Sequence, residues 1–99
     1  MDTMHTDNAD ELAAIMRALA DPVRIRILRL VADAGELTCS PLAEALDLPQ
    51  STLSRHLRVL RESGLAYSRP DGAHRWVGVN ADAVNARHPG LLASLLALG

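Results

Sequence analysis

Apolar residues recur at three- and four-residue intervals through most of the chain, and the interruptions fall where helices end. Leu12, Ile15, Met16 and Leu19 predict a first helix, capped by Asp7 or Asn8, with acids in its first turn where the helix dipole favours them. Residues 1–8 are then expected to be a flexible tail. In the next segment, ADPVRIRILRLVADAG, Val23, Ile25 and Ile27 alternate with Arg24 and Arg26 as a strand would. Asp21 followed by Pro22 is nevertheless a cap and first-turn pair, Ile27, Leu28 and Val31 resume helical spacing, and Gly35 supplies a stop. The segment therefore reads as a second helix.

Two short helices about a tight turn follow. Ser40 and Pro41 open the first, Leu42, Ala43 and Leu46 give it a small apolar side, and Asp47 to Pro49 break it. Gln50 or Ser51 starts the second. Leu53, Leu57 and Leu60 fall within about 60° of one another on a helical wheel, with His56 on their flank. Gln50, Ser51, Ser54, Arg55, Arg58 and Glu62 point away from them. Short hydroxyl side chains are mediocre helix formers, so that outer face is better explained by contact than by stability. Gly64 is a C-cap candidate. Beyond it, LAYSRPDGAHRWVGVN reads as two strands about a turn at Asp71-Gly72. The last stretch starts helical, breaks at Pro89-Gly90 and ends in Leu91, Leu92, Leu95, Leu96 and Leu98, which need a partner surface. The expected fold is mainly α with a small β-hairpin: one domain over 1–99, with a helix-turn-helix at 38–64, a wing at 65–80 and a dimerisation segment at 81–99.

Composition narrows the function. The 99 residues carry a net charge of −2, which alone argues against a nucleic-acid partner, but the charge is unevenly placed. Asp2, Asp7, Asp10 and Glu11 crowd the start, whereas Ser51 to Trp76 holds Arg55, Arg58, Arg61, Arg69 and Arg75 against Glu62 and Asp71. Positive charge thus collects on the contact-like segment. There is no run of roughly 18 to 20 apolar residues and no basic signal start, and the single Cys39 suits a reducing compartment, so a cytoplasmic protein without a membrane partner is expected. No nucleophile paired with a base, glycine-rich phosphate loop or His/Glu metal constellation marks an enzyme.

From about Leu19 to the wing, the runs ALADPVRIRILRLV, LAEALDLPQSTLSRHLRVLRESGL and DGAHRWV resemble the ArsR-type winged helix-turn-helix repressors of bacteria and archaea. The resemblance implies a homodimer built by the first and last helices, with the second helix of the motif in the major groove. Position by position, the family's DNA-contacting residues fall on Gln50, Ser51, Thr52, Ser54, Arg55 and Arg58, with wing contacts near Arg69, His74 and Arg75. A twofold dimer would bind double-stranded operator DNA as an imperfect palindrome.

One departure bears on the signal and another on the turn. Metal-sensing members that resemble this chain carry a Cys-Val-Cys run entering the motif, whereas here the flanking positions are Thr38 and Ser40, with Cys39 between them. Thiolate sites for arsenite, cadmium or lead need several sulfurs. A borderline ion such as nickel or zinc is the remaining metal candidate, through His5 with Asp2 or Asp7 and through His88 from a second copy. In the turn, Asp47 stands where relatives commonly have Gly. A docking module that uses the winged fold to bind another protein, without an effector site, is the alternative to a repressor, but it has no need of the polar and arginine face at 51–62.

Overall fold

The computed structural model describes the backbone of residues 3–97 and the side chains of residues 9–97. Six helices and three strands follow in the order α1 (Thr3–Ala18), α2 (Pro22–Ala34), β1 (Glu36–Thr38), α3 (Cys39–Leu46), α4 (Gln50–Glu62), β2 (Ala66–Asp71), β3 (His74–Val79), α5 (Ala81–Arg87) and α6 (Leu91–Ala97). Helix α1 starts at Thr3, so Asp7 and Asn8 lie within it instead of capping it, and the tail expected over 1–8 is helical from its third residue. No helix among the described residues is long and apolar enough to cross a membrane.

The ambiguous second segment is a helix. The Asp21 carboxylate accepts from Val23 N at 2.8 Å, Pro22 occupies the first turn, and Gly35 ends the helix at φ 87°. Its Ile27, Leu28 and Val31 are fully buried, beside Leu42 of α3 and Leu53, Leu57 and Leu60 of α4. Each such side chain contributes about 1.5–3 kcal/mol on burial, which outweighs the strand propensity of a Val-Arg-Ile-Arg-Ile run. Two arginines of that run's helix serve as struts. Arg24 donates to the carbonyls of Ala18 (2.7 Å) and Arg17 (3.3 Å) at the end of α1 and reaches His56 Nδ1 on α4 at 3.3 Å. Arg29 donates twice to the Leu95 carbonyl, tying α2 to α6.

The turn of the motif rests on two matching helix ends. At the end of α3, Asp47 adopts the left-handed conformation (φ 54°), with Asp47 N bonded to Glu44 O and Leu48 N to Ala43 O. At the end of α4, Gly64 (φ 84°) does the same, with Gly64 N bonded to Arg61 O and Leu65 N to Leu60 O. Both are Schellman pairings, and both bury or half-bury the following leucine. Helix α3 begins one residue earlier than Ser40, at Cys39, with Thr38 as its cap.

The wing is more than a hairpin. Strand β1 adds an antiparallel edge, giving the order β1-β3-β2 with Leu37 opposite Val77 and Ser68 opposite Val77 on the other side. Asp71 pairs with His74, so the turn is centred on Gly72-Ala73, one residue beyond Asp71-Gly72. Gly72 at φ 62° supplies the positive φ that a type II′ turn needs at its first central position. Strand parity then sorts the side chains. Leu37, Ala66, Ser68, Pro70, Arg75, Val77 and Val79 share the face toward the helices, and Glu36, Thr38, Tyr67, Arg69, Asp71, His74 and Trp76 share the other.

Candidate nucleic-acid interface

Helix α4 is anchored by Leu53, Leu57 and Leu60, and this fixes which side chains look outward. Gln50, Ser51, Ser54, Arg55 and Arg58 are exposed, and Thr52 is half-buried toward the body. Pro49 precedes the helix without a side-chain cap, so the first-turn N–H groups face outward with the positive end of the dipole. Arg58 meets Glu62 at 3.1 Å, but with side chains 72% and 67% exposed that pair is a weak tie that a phosphate can displace. Arg55 has no hydrogen-bonding or ion-pair partner among the described residues.

The outer face of the wing is closed by its own chemistry. Glu36 of β1 accepts from Tyr67 Oη at 2.6 Å and from Arg69 Nη2 and Nε at 2.7 and 3.2 Å. The Arg69 hydrogen bonds and then that of Tyr67 hold the Glu36 carboxyl down to about 2 from 4.5, and the same carboxylate raises the Tyr67 hydroxyl above its ordinary value. The Tyr67 ring lies over Gly78, where a Cβ would fall inside it. The Arg69 guanidinium also sits 5.9 Å above the Trp76 ring, whose Nε1 donates to Asp71 at 3.3 Å. Of the three wing residues expected to touch DNA, Arg69 is thus engaged by Glu36, His74 is exposed on that same outer face beside the hairpin tip, and Arg75 lies on the opposite face.

On that opposite face a cleft of about 360 Å³ separates the wing from α4. Ser54, Leu57 and Arg61 line it from the helix, Ser68, Arg75 and Val77 from the wing, and Cys39 from the start of α3. Arg75 Nη1 donates to Ser68 Oγ at 3.1 Å. The structure therefore brings Ser54 and Arg75 to one place and adds Arg61, which the wheel left as an undistinguished member of the charged run. Its spacing from Ser54 and Leu57 puts it on the stripe that faces the wing, but only the wing's position gives that stripe a meaning.

Of the expected metal ligands, His88 lies among the described residues. No group of three or more His, Cys, Asp or Glu side chains able to hold a metal ion occurs among the described residues. His5, Asp2 and Asp7 have side chains outside the described set. His88 is only 12% exposed and lies 3.3 Å from Glu11 Oε1 of its own chain. Arg87 Nε approaches the same oxygen at 2.7 Å.

Comparison with known proteins gives the same fold. A family model described as a helix-turn-helix domain matches residues 19–66. The chain is 33% identical over 94 residues to the HTH-type transcriptional regulator YceK of Bacillus subtilis, covering 94% of each. It is 44% identical over 63 residues to the arsenical resistance operon repressor of Escherichia coli, covering 64% of this chain and 52% of that one. Among solved structures it is similar to a homodimeric winged helix-turn-helix DNA-binding domain from Mycobacterium bovis, with a TM-score of 0.80, 27% identity and coverage of 96% and 86%. HlyU from Vibrio cholerae follows with a TM-score of 0.72, 30% identity and coverage of 95% and 97%.

Proposed function

Since the chain belongs to the ArsR-type winged helix-turn-helix family of transcriptional regulators, which are DNA-binding proteins and not enzymes, we propose that it is a dimeric repressor of the cytoplasm that leaves an operator when an effector binds. The observation that carries this reading is the polar face of α4, with Arg55 unpaired among the described residues, set beside a cleft that opens toward the wing's Arg75. Helix α4 enters the major groove, where Gln50, Ser51, Thr52, Ser54, Arg55 and Arg58 meet base edges and flanking phosphates. Arg is the side chain best matched to guanine O6 and N7.

A second copy covers the exposed apolar side chains of α1, Leu12 and Met16, which are 41% and 45% exposed. The twofold axis sets the two recognition helices about 34 Å apart, one turn of duplex, so the operator is an imperfect palindrome. The thiolate metal site of the family does not fit this chain, because Thr38 and Ser40 replace the paired thiolates. Nickel or zinc, held by His5 with Asp2 or Asp7 and by His88 of a second copy, is the metal candidate for the effector. Whatever the effector is, it acts only through a difference in affinity between the operator-bound and unbound dimer.

The test is a titration of operator and random duplexes at several salt concentrations, with Arg55→Ala beside the unaltered protein. Loss of about 1–3 kcal/mol on the operator, with relaxed preference and little change on random DNA, is expected. Equal affinity of the unaltered protein for both duplexes, or a monomer in sedimentation at micromolar concentration, overturns the reading.

A further inference from the structure

Resting on the DNA-binding reading above, we infer that the cleft between α4 and the inner face of the wing is a seat for a single phosphodiester of the DNA backbone, with Arg61 and Arg75 as its two arms. Most of the other arginines outside the recognition face are already engaged: Arg69 with Glu36, Arg87 with Glu11, Arg24 with Asp21 and Arg29 with a helix-end carbonyl. Arg61 and Arg75 come from different elements, line one cavity, and find no carboxylate on its walls. Among the described residues Arg75 bonds only to the neutral Ser68 hydroxyl, and Arg61 has no side-chain partner. Two guanidiniums facing a shared cavity repel each other until an anion lies between them, and their planar forks match the oxygens of a phosphate.

The rest of the lining suits the same guest. The Ser54 and Ser68 hydroxyls are neutral donors from helix and wing, and Leu57, Val77 and Cys39 complete the lining. A duplex lying along the outer face of α4 carries one strand's backbone between helix and wing, so a backbone phosphate is the occupant that its approach delivers. Such a contact fixes position and not sequence. Arg61 is thereby a positioning residue for the duplex, and Ser54 has its side chain on the backbone side of the helix.

Cys39, the only cysteine of the chain, lines the cleft and reports its occupancy without any substitution. Alkylation of Cys39 by iodoacetamide in the full-length protein is expected to slow several-fold when either operator or random duplex is bound, and to recover as salt strips the duplex off. Inorganic phosphate at millimolar concentration is expected to leave the rate unchanged, because a lone anion lacks the duplex that holds it there. In parallel, Arg61→Ala lowers affinity about 5- to 10-fold for operator and random duplex alike and flattens the salt dependence by about one unit, while Arg61→Lys keeps the slope. Duplex binding with full Cys39 reactivity and an unchanged slope in Arg61→Ala overturns the seat and leaves the regulator reading intact. Protection by inorganic phosphate but not by duplex also overturns it, in favour of a free anion. Failure of the unaltered protein to bind any duplex overturns the regulator reading and the seat together.

Discussion

The two faces of the wing's small sheet use the same residue type in opposite ways. Arg69 and Arg75 stand one register position apart across the β2–β3 pair, since Arg69 pairs with Trp76 and Arg75 with Pro70. That single step puts them on different faces. On the outer face Arg69 is paired with Glu36, a carboxylate that also accepts from Tyr67, and lies over the Trp76 ring. On the inner face Arg75 touches one serine and otherwise borders an open cleft. Arginine content therefore says little about DNA contact by itself. A guanidinium that already faces a carboxylate must lose that partner before it can serve a phosphate, whereas one without a partner loses only water.

The largest expected effect comes from filling the space under Tyr67. In Gly78→Ala the new methyl group falls inside the ring, and the ring can move only by leaving Glu36 and tilting away from β3. Overpacking of this kind costs about 1–3 kcal/mol, and urea unfolding should register it as a lower midpoint with an unchanged slope. An unchanged midpoint would show that the outer face is loosely assembled and that the contrast with the inner face is false.

A pair of truncations separates the two arginines. Arg75→Ala is expected to weaken operator and random duplexes by the same 5- to 10-fold or so at moderate salt and to flatten the salt dependence by about one unit. Its unfolding free energy should stay within about 0.5 kcal/mol of the unaltered protein's, the usual range for an exposed surface change. Arg69→Ala is expected to do the reverse, lowering the midpoint and leaving DNA affinity nearly as it was. Exchange of these two outcomes would place the DNA backbone on the Trp76 side of the wing and remove Arg75 from the interface.

The helical part of the fold was legible because its signals are local. Asp21-Pro22 and Gly35 bounded α2 despite the strand-like alternation inside it, and the Leu53, Leu57 and Leu60 spacing assigned the buried side of α4 from the chain alone. Three features escaped because their causes are distant. Strand β1 has only three residues, too few for a period, and is a strand because Gly78, Val77 and Trp76 of β3 lie beside it. The commitment of Arg69 depends on Glu36, thirty-three positions earlier, and a charge run read along the sequence cannot show it. Arg61 was one charge among several in the sequence because a wheel describes one helix, and its meaning comes from the wing packed across from it. The start of α1 failed for a local reason instead: Asp7 and Asn8 are good caps, but nothing obliges a helix to begin at the first good cap it contains.

The smallest expected effect concerns the acid that closes the outer face. Glu36 accepts three hydrogen bonds as a carboxylate, and its folded-state value of about 2 lies below its ordinary 4.5. Folding thus favours the ionised form, so the unfolded chain binds the proton more readily between these values, and stability rises with pH across that window. The contribution is complete above about pH 4.5 and disappears as the pH falls toward 2. Glu36→Gln keeps the shape of the side chain and removes the charge, so its melting temperature should lie slightly below that of the unaltered protein at neutral pH. The gap should close as the solution is acidified through that window, and added salt should narrow it at neutral pH, because Arg69 and Glu36 are both reached by solvent. A gap that persists unchanged to pH 2 would mean that Glu36 acts by packing against Tyr67 alone. No gap at neutral pH would mean that Arg69 gains nothing from Glu36 over water, and that the outer face owes its order to the Tyr67 ring on Gly78.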